Sequence, residues 1–336
     1  MQKKLLSLLL VFSMMFCLFV GCSTEDSGES VSNENPTEKT NINIGCMKGP
    51  TAIGMIKLLS DSDAGNTSNK YSHTIAGTAD ELSVGLINGD IDIAAVPCNL
   101  ASILYQKTNG EVVTVAINTL GVLYIVEEGN SIQSVNDLAG KTIYSTGQGT
   151  TPEYTLRFLL SAAGLDPDTD VTIEYKSEAS EVVATLAQNP DAVAMLPQPY
   201  VTVALNGNEN LRIALDVTEE WENLSDSTVV TGVIVARKSF IESNKDAFNA
   251  FLDEYKNSTT YANSNIEETA TLLEEYDVFK AAIAKKAIPY CNVTYVDNQE
   301  MKTKILAYLK VLYYENPAAI GGNLPEEGMF YINENN

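Results

Sequence analysis

Two stretches of the chain repeat one pattern of apolar and polar positions. Glu81 to Pro97 aligns without a gap on Glu181 to Pro197. Each begins with apolar residues one helical turn apart, Leu82 and Leu86 or Val182 and Leu186, which predicts an amphipathic helix with one face on a core. Each then breaks at a turn, Asn88-Gly89-Asp90 or Asn189-Pro190-Asp191. The runs that follow, Ile91 to Val96 and Ala192 to Leu196, are short and almost wholly apolar, as strands covered on both faces are. A proline ends each run, because proline cannot donate to a sheet ladder.

A second pair echoes at nearly the same offset. Ile42 to Met47 reads as a strand, Lys48-Gly49-Pro50-Thr51 as a loop, and the stretch through Ile53, Ile56, Leu58 and Leu59 as a helix. Thr142 to Ser145 reads as a strand, Thr146 to Pro152 as a loop, and Glu153 to Ala163 as a helix. Thr151 suits an N-cap with Pro152 at the first helical position, and Gly164 suits the stop. Strand and helix thus alternate in both halves. The expected fold is α/β, with two lobes, each a mostly parallel sheet flanked by helices, joined by two crossover strands.

The first crossing is expected after Leu123 to Glu127, near Gly129. The second precedes Thr231 to Ala236, which reads as a strand returning to the first lobe. Residues 41–126 and 231–336 would then form lobe 1, and residues 127–230 lobe 2. Helices are expected from about Lys245 to Ala262, Ile266 to Tyr276, Phe279 to Lys286 and Gln299 to Tyr314, packed mainly on lobe 1.

Residues 1–40 read differently. A basic head, Lys3-Lys4, precedes an apolar run from Leu5 to Val20, then Gly21-Cys22. That is the order of a secretory signal, and the run is shorter than the ~20 residues a membrane-spanning helix needs. Leu18 to Cys22 resembles a bacterial lipobox, with Phe19 a departure from the usual aliphatic residue. The resemblance implies cleavage of residues 1–21, a lipid on Cys22 and an anchor on the outer face of the cytoplasmic membrane. Residues 22–40, rich in Ser, Glu, Asn and Thr, read as a disordered tether.

A net charge of −23 argues against nucleic acid as a partner, since phosphate binding needs a basic face. Hydrophobic content of 45% and charged content of 19% are ordinary for a globular body. Beyond Cys17 and Cys22, the cysteines are Cys46, Cys98 and Cys291, an odd set at wide spacing. They read as buried thiols, although Cys46 and Cys98 both fall near strand ends. With His73 the one histidine, neither a metal centre nor a cofactor is expected.

In open α/β sheets ligands bind beyond the carboxyl ends of the strands. This places candidate contacts at Lys48, Gly49, Pro50, Thr51, Thr78, Pro97, Asn99, Asn118 and Thr119 of lobe 1. In lobe 2 they are Ser145, Gly147, Gln148, Gly149, Thr150, Thr151, Pro197, Gln198 and Tyr200. Glycines 49, 147 and 149 let backbone N–H groups approach a ligand, and helix starts nearby would aim free N–H groups into the gap. Lys48 reads equally as a solvated loop lysine. Tyr124, Tyr144, Tyr154 and Tyr200 either line a pocket or pack on helices, and Trp221 either caps the pocket or fills the hinge. Gly147-Gln148-Gly149 is only a fragment of a nucleotide fingerprint. Arg157, Arg212 and Arg237 are the chain's arginines, and none falls in these loops. That tilts the expected ligand toward a neutral or zwitterionic organic molecule, since oxyanions are commonly met by arginine forks.

Taken together, Ile44-Gly45 to Gly49-Pro50-Thr51, Gly89 to Ala94, Val135 to Thr142 and Leu196 to Tyr200 resemble the nitrate/sulfonate/taurine class of ABC-transporter solute-binding proteins, the type II periplasmic-binding fold. The resemblance spans nearly the whole mature chain. It implies a monomeric clamp that captures a small organic molecule or oxyanion, delivers it to a membrane permease and turns nothing over. The alternatives are a ligand-sensing surface lipoprotein and an enzyme on the same scaffold. For the enzyme, Cys98 would be the nucleophile and Glu153 the base.

Overall fold

A computed structural model describes residues 39–333. The leader, Cys22 and almost all of the tether therefore lie outside the described residues.

The first half runs β1 (Asn41–Met47), α1 (Pro50–Ile53), α2 (Ile56–Asp63), β2 (Lys70–Ala76), α3 (Ala79–Asn88), β3 (Ile93–Pro97), α4 (Cys98–Lys107) and β4 (Val112–Leu120). The second runs β5 (Leu123–Glu128), β6 (Thr142–Ser145), α5 (Thr151–Ala162), β7 (Thr172–Tyr175), α6 (Ala179–Gln188), β8 (Val193–Pro197), α7 (Tyr200–Gly207), β9 (Leu211–Asp216) and α8 (Val217–Leu224). The chain then adds β10 (Val230–Arg237), α9 (Lys238–Ser243), α10 (Lys245–Ser264), α11 (Ile266–Glu275), α12 (Ala281–Ala287), β11 (Val293–Val296) and α13 (Asn298–Glu315). The repeat seen in the sequence is realised to the residue in both its helices, α3 and α6, and its strands, β3 and β8.

The strands form two sheets, ordered β11-β4-β10-β3-β1-β2 and β7-β6-β8-β5-β9. In each, one strand has parallel neighbours on both sides: β2 and β3 on β1, β7 and β8 on β6. In each, the next strand is antiparallel to both neighbours: β10 between β3 and β4, β5 between β8 and β9. These are the two strands that cross between lobes; β11, antiparallel to β4 at the edge of the first sheet, is reversed as well. The chain leaves one sheet at its carboxyl edge, arrives at the facing edge of the other, and so must run backward through it. The sheets are therefore mixed, and the expectation of mostly parallel sheets holds for strand direction rather than for every pairing.

This corrects the first expected crossing. β5 belongs to the five-stranded sheet, so the chain crosses at residues 121–122, and residues 123–126 sit in lobe 2. A two-residue link between apolar runs reads as a hairpin, yet here its strands enter different sheets. Gly121 makes the tight passage feasible: a methyl there would fall 1.8 Å from Thr218 Oγ1.

One apolar cluster joins Ile42, Ile53, Leu59 and Ile234 to Phe248, Tyr255 and Leu273, covering one face of the first sheet. A second runs from Leu86, Val96 and Leu104 on its other face through Tyr308 and Leu312 of α13 to Leu156, Leu160 and Trp221 of the second lobe. A third, with Val182, Leu186 and Val201, covers the remaining face of the second sheet. Thus α13 does not pack on the first lobe alone; it bridges both. Trp221 is wholly buried against Phe158 and Tyr308, at centroid distances of 4.2 and 5.2 Å, and its indole N–H donates to Ser227 Oγ. It fills the hinge and does not cap a pocket. Cys46 and Cys98 fall in different clusters, and with Cys291 all three thiols are free and buried.

The Glu127 carboxylate, 2% exposed near the end of β5, ties down the turn after it. It accepts from Ser131 Oγ and the Ser131 and Ile132 N–H groups, and from Arg212 at 2.5 Å. Burial pushes this carboxyl up, but the hydrogen bonds outweigh burial and hold it below its usual value. A depressed folded-state pKa stabilises above the unfolded value of ~4.3 and is lost as pH falls. In urea titrations, Glu127→Gln should cost stability by about 3–5 kcal/mol near neutrality. The gap from wild type should narrow steadily below the ordinary carboxylate range. A gap that stays constant down to strongly acidic pH would contradict this role.

Candidate functional site

Both sheets present their carboxyl edges to one gap. The first sheet contributes the ends of β1, β2, β3 and β4 and, because it is reversed, the start of β10. The second contributes the ends of β6, β7, β8 and β9 and the start of β5. Register fixes this: Gly232 lies opposite Pro97 and Thr119, and Leu123 lies opposite Pro197.

On the first edge, α1 is a single turn rather than the longer helix expected. Gly49 is its N-cap and Pro50 its first residue, and the chain then restarts at α2. Thr51 is buried, and its carbonyl accepts from Asn118 Nδ2 at 3.2 Å. Gly232 permits this closeness, since a methyl there would fall 2.5 Å from Asn118 Oδ1 and 2.8 Å from the Thr51 methyl. Asn118 Oδ1, Thr119 Oγ1 and Thr231 Oγ1 are buried without a hydrogen-bond partner. Buried polar atoms are rarely left so. Thr78 donates to Glu81 Oε1, and Lys48 pairs with the exposed Asp277 at 3.1 Å.

On the second edge, α5 starts one residue earlier than expected. Thr150 is the N-cap, Thr151 the first helical residue and Pro152 the second. The Thr150 hydroxyl turns back to the Gly147 carbonyl instead of capping the helix. Gly147 and Gly149 both have positive φ, 74° and 76°, which favours glycine. The Gly149 N–H donates to Glu153 Oε2 at 2.6 Å. Gln198 is buried, and its Oε1 accepts from Thr202. Tyr175 at the end of β7 has a buried hydroxyl with no partner; burial first, then the nearby Glu153 charge, push it up. Burial and Glu178 likewise raise Tyr200, while Lys48 across the gap lowers it.

The two edges meet. Thr151 Oγ1 donates to Asn99 Oδ1 at 3.2 Å, joining two expected contact residues to each other. Asn99 is held in turn by the Ala319 carbonyl. Thr155 and Tyr308 share a hydrogen bond beside them. On the other flank, Tyr124 OH donates to the Tyr290 carbonyl, Lys286 Nζ to Asn206 Oδ1, and Tyr200 sets its ring edge-on to Phe279 at 6.3 Å.

The expected residues thus gather on two facing edges, but their side chains differ in what is left free. Thr51, Asn99, Thr150, Thr151 and Gln198 are largely engaged within the protein. Thr231 and Tyr175 were missed. Thr231 precedes most of its strand, and a rule that looks only after strands cannot find it when the strand is reversed. The surface hollow lined by Ser225, Thr228, Thr303 and Lys304 lies at the second crossing instead, away from these edges. Cys98 is wholly buried, and burial pushes its thiol up, the reverse of what a nucleophile needs.

A two-lobed α/β protein with facing strand edges is the build of a ligand-capturing clamp. The chain matches, over residues 68–286, the family described as ABC transporter, phosphonate, periplasmic substrate-binding protein. That is more than half of its length, and the chain belongs to this family: it is the extracytoplasmic substrate-binding component of an ABC importer. No curated protein sequence matches it. Among solved structures, it is similar to an ABC transporter protein from Parabacteroides distasonis, with 25% identity, a TM-score of 0.73 and coverage of 89% of this chain and 100% of that one. It is similar to the aliphatic sulphonate binding protein SsuA of Escherichia coli at 20% identity and TM-score 0.69, covering 89% and 95%. The nitrate-binding protein NrtA of Synechocystis PCC 6803 shares the fold at 14% identity and TM-score 0.60, covering 87% and 92%. The family and these neighbours are transport binding proteins rather than enzymes.

Removing the contacts on the outer flank should loosen the clamp. Each hydrogen bond is worth about 0.5–1.5 kcal/mol. The double variant Tyr124→Phe, Lys286→Ala should therefore show a larger radius of gyration than wild type in small-angle scattering without ligand. Identical scattering would mean these contacts do not hold the lobes together.

Proposed function

We propose that this protein holds a small molecule between the edges of β1–β4 and β5–β9 and hands it to an ABC permease while tethered to the membrane through Cys22. The observation that carries the reading is the convergence of partnerless, buried Asn118 Oδ1, Thr119 Oγ1 and Thr231 Oγ1 on one edge, facing Ser145, Tyr175 and Tyr200 on the other. A ligand is the natural partner for such atoms. Residues 41–122 and 230–333 act as one jaw and residues 123–224 as the other, with 121–122 and 225–229 as the connections. Lys48, Gly49, Pro50, Thr78, Pro97, Gln148 and Pro197 form the rim. The relatives named for phosphonate, sulphonate and nitrate support small-molecule capture as the task.

The test is a distance measurement. Spin labels at Asp246 in the first jaw and Ser161 in the second should report one shorter, narrower distance when small molecules released from the natively purified protein are added back. The same distribution with and without them would refute capture by closure. For the anchor, Cys22→Ser should move the protein from the membrane fraction to the soluble extracytoplasmic fraction. If it stays with the membrane, the lipid reading is wrong.

A further inference from the structure

The family and several structural relatives carry names of oxyanions, yet the charged groups of this cleft are arranged against one. The three arginines are committed elsewhere. Arg157 forks onto Asp168 at 2.9 and 2.8 Å. Arg212 binds Glu127 and the carbonyls of Gly129 and Ile132. Arg237 lies with Asp92, Glu111 and the Gly89 carbonyl. The two lysines at the edges are also paired: Lys48 with Asp277, and Lys176 with Glu174 while lying over the Tyr144 ring.

The glycine loop before α5 is the place where backbone N–H groups would meet an oxyanion. There the chain supplies its own anion. Glu153, in the first turn of α5, takes the Gly149 N–H at 2.6 Å. Beside it the buried Tyr175 hydroxyl interacts with the same carboxylate. Glu178 starts α6 nearby, and its charge raises Tyr200 after burial does. An incoming phosphonate or sulfonate would have to displace a carboxylate from its donor or sit against it. Like charges at such range repel, and Arg157, which feels the Glu153 charge from one turn along α5, already has its guanidinium forked onto Asp168. An ammonium or protonated amidine suits the same place: it accepts nothing, donates to the carboxylate and can lie over tyrosine faces.

We infer that Glu153 is a specificity-determining residue that turns this cleft away from oxyanions and toward an amine-bearing organic ligand, met by the carboxylate and the hydroxyls of Tyr175 and Tyr200. The inference rests on the capture reading above but makes a separate claim about ligand class.

The experiment has two arms on the full chain. Small molecules released from natively purified protein are identified by mass spectrometry, then titrated back calorimetrically into wild type and Glu153→Gln. Methylphosphonate, ethanesulfonate and nitrate are titrated in parallel. The expected result is a released compound with a basic nitrogen whose affinity falls about 10- to 100-fold in Glu153→Gln, as expected for losing a hydrogen bond to a charged group. Wild type should bind none of the three oxyanions. Thermal unfolding of the variant, unchanged within a few degrees, shows that the loss is not unfolding. Tight oxyanion binding by wild type, or equal affinity of wild type and Glu153→Gln for the released compound, overturns this inference and leaves capture standing. A protein that releases nothing and binds none of the probes overturns both.

Discussion

The exchange of one strand in each direction governs everything else in this protein. β4 ends at the carboxyl edge of the first sheet, and only two residues later β5 begins at the carboxyl edge of the second. The chain returns from β9 through α8 and residues 225–229 into β10. Because both crossings join edge to edge, the two edges cannot lie far apart, and each donated strand must run against its neighbours. The reversed strands β5 and β10 take equivalent places in the two sheets, between β8 and β9 and between β3 and β4. The halves are therefore two copies of one topology, each completed by a strand arriving from the other. A cleft between the edges follows from this connectivity and does not depend on any one side chain.

The packing divides labour along that cleft. Near the connections, α13, α5 and α8 share a continuous apolar core around Trp221, with Asn99, Thr151, Thr155 and Tyr308 as buried polar cross-links. Farther out the contacts are sparse: one tyrosine hydroxyl, one lysine and one aromatic edge. A dense apolar contact near the pivot and a few replaceable polar contacts at the opposite flank suit a clamp that opens on one side. The Glu127 carboxylate fixes the turn at the end of β5 far from the crossing.

Much of this was legible in the sequence because its physics is local. The repeat at α3–β3 and α6–β8 showed itself through helical spacing, a turn and a terminal proline, and each signal operates within a few residues. The return strand was legible as well, since Thr231 to Ala236 is an apolar run without a helical period. The first crossing was not, because residues 121–122 between two apolar runs look like a hairpin turn, and only tertiary pairing decides otherwise. The start of α5 was read one residue off because no side-chain cap bond marks Thr150, and the stretch after Thr51 was read as one helix although the chain breaks at 54–55 and restarts as α2. The candidate contacts after the forward strands lie on the carboxyl edges of the two sheets. Thr231, on a reversed strand, and Tyr175, at the edge strand, needed the sheet order. The engagement of Asn99 with Thr151 and of Gly149 with Glu153 are long-range or loop-specific pairings that composition cannot announce.

The central claim is that the gap between the two strand edges is where cargo sits. A crystal structure of the protein with its co-purified small molecule tests this most directly. The account predicts density between Asn118, Thr119 and Thr231 on one side and Ser145, Tyr175 and Tyr200 on the other, giving the partnerless buried atoms their partners. Density instead in the hollow beside Thr303 and Lys304, with the strand edges pressed together and dry, would contradict it.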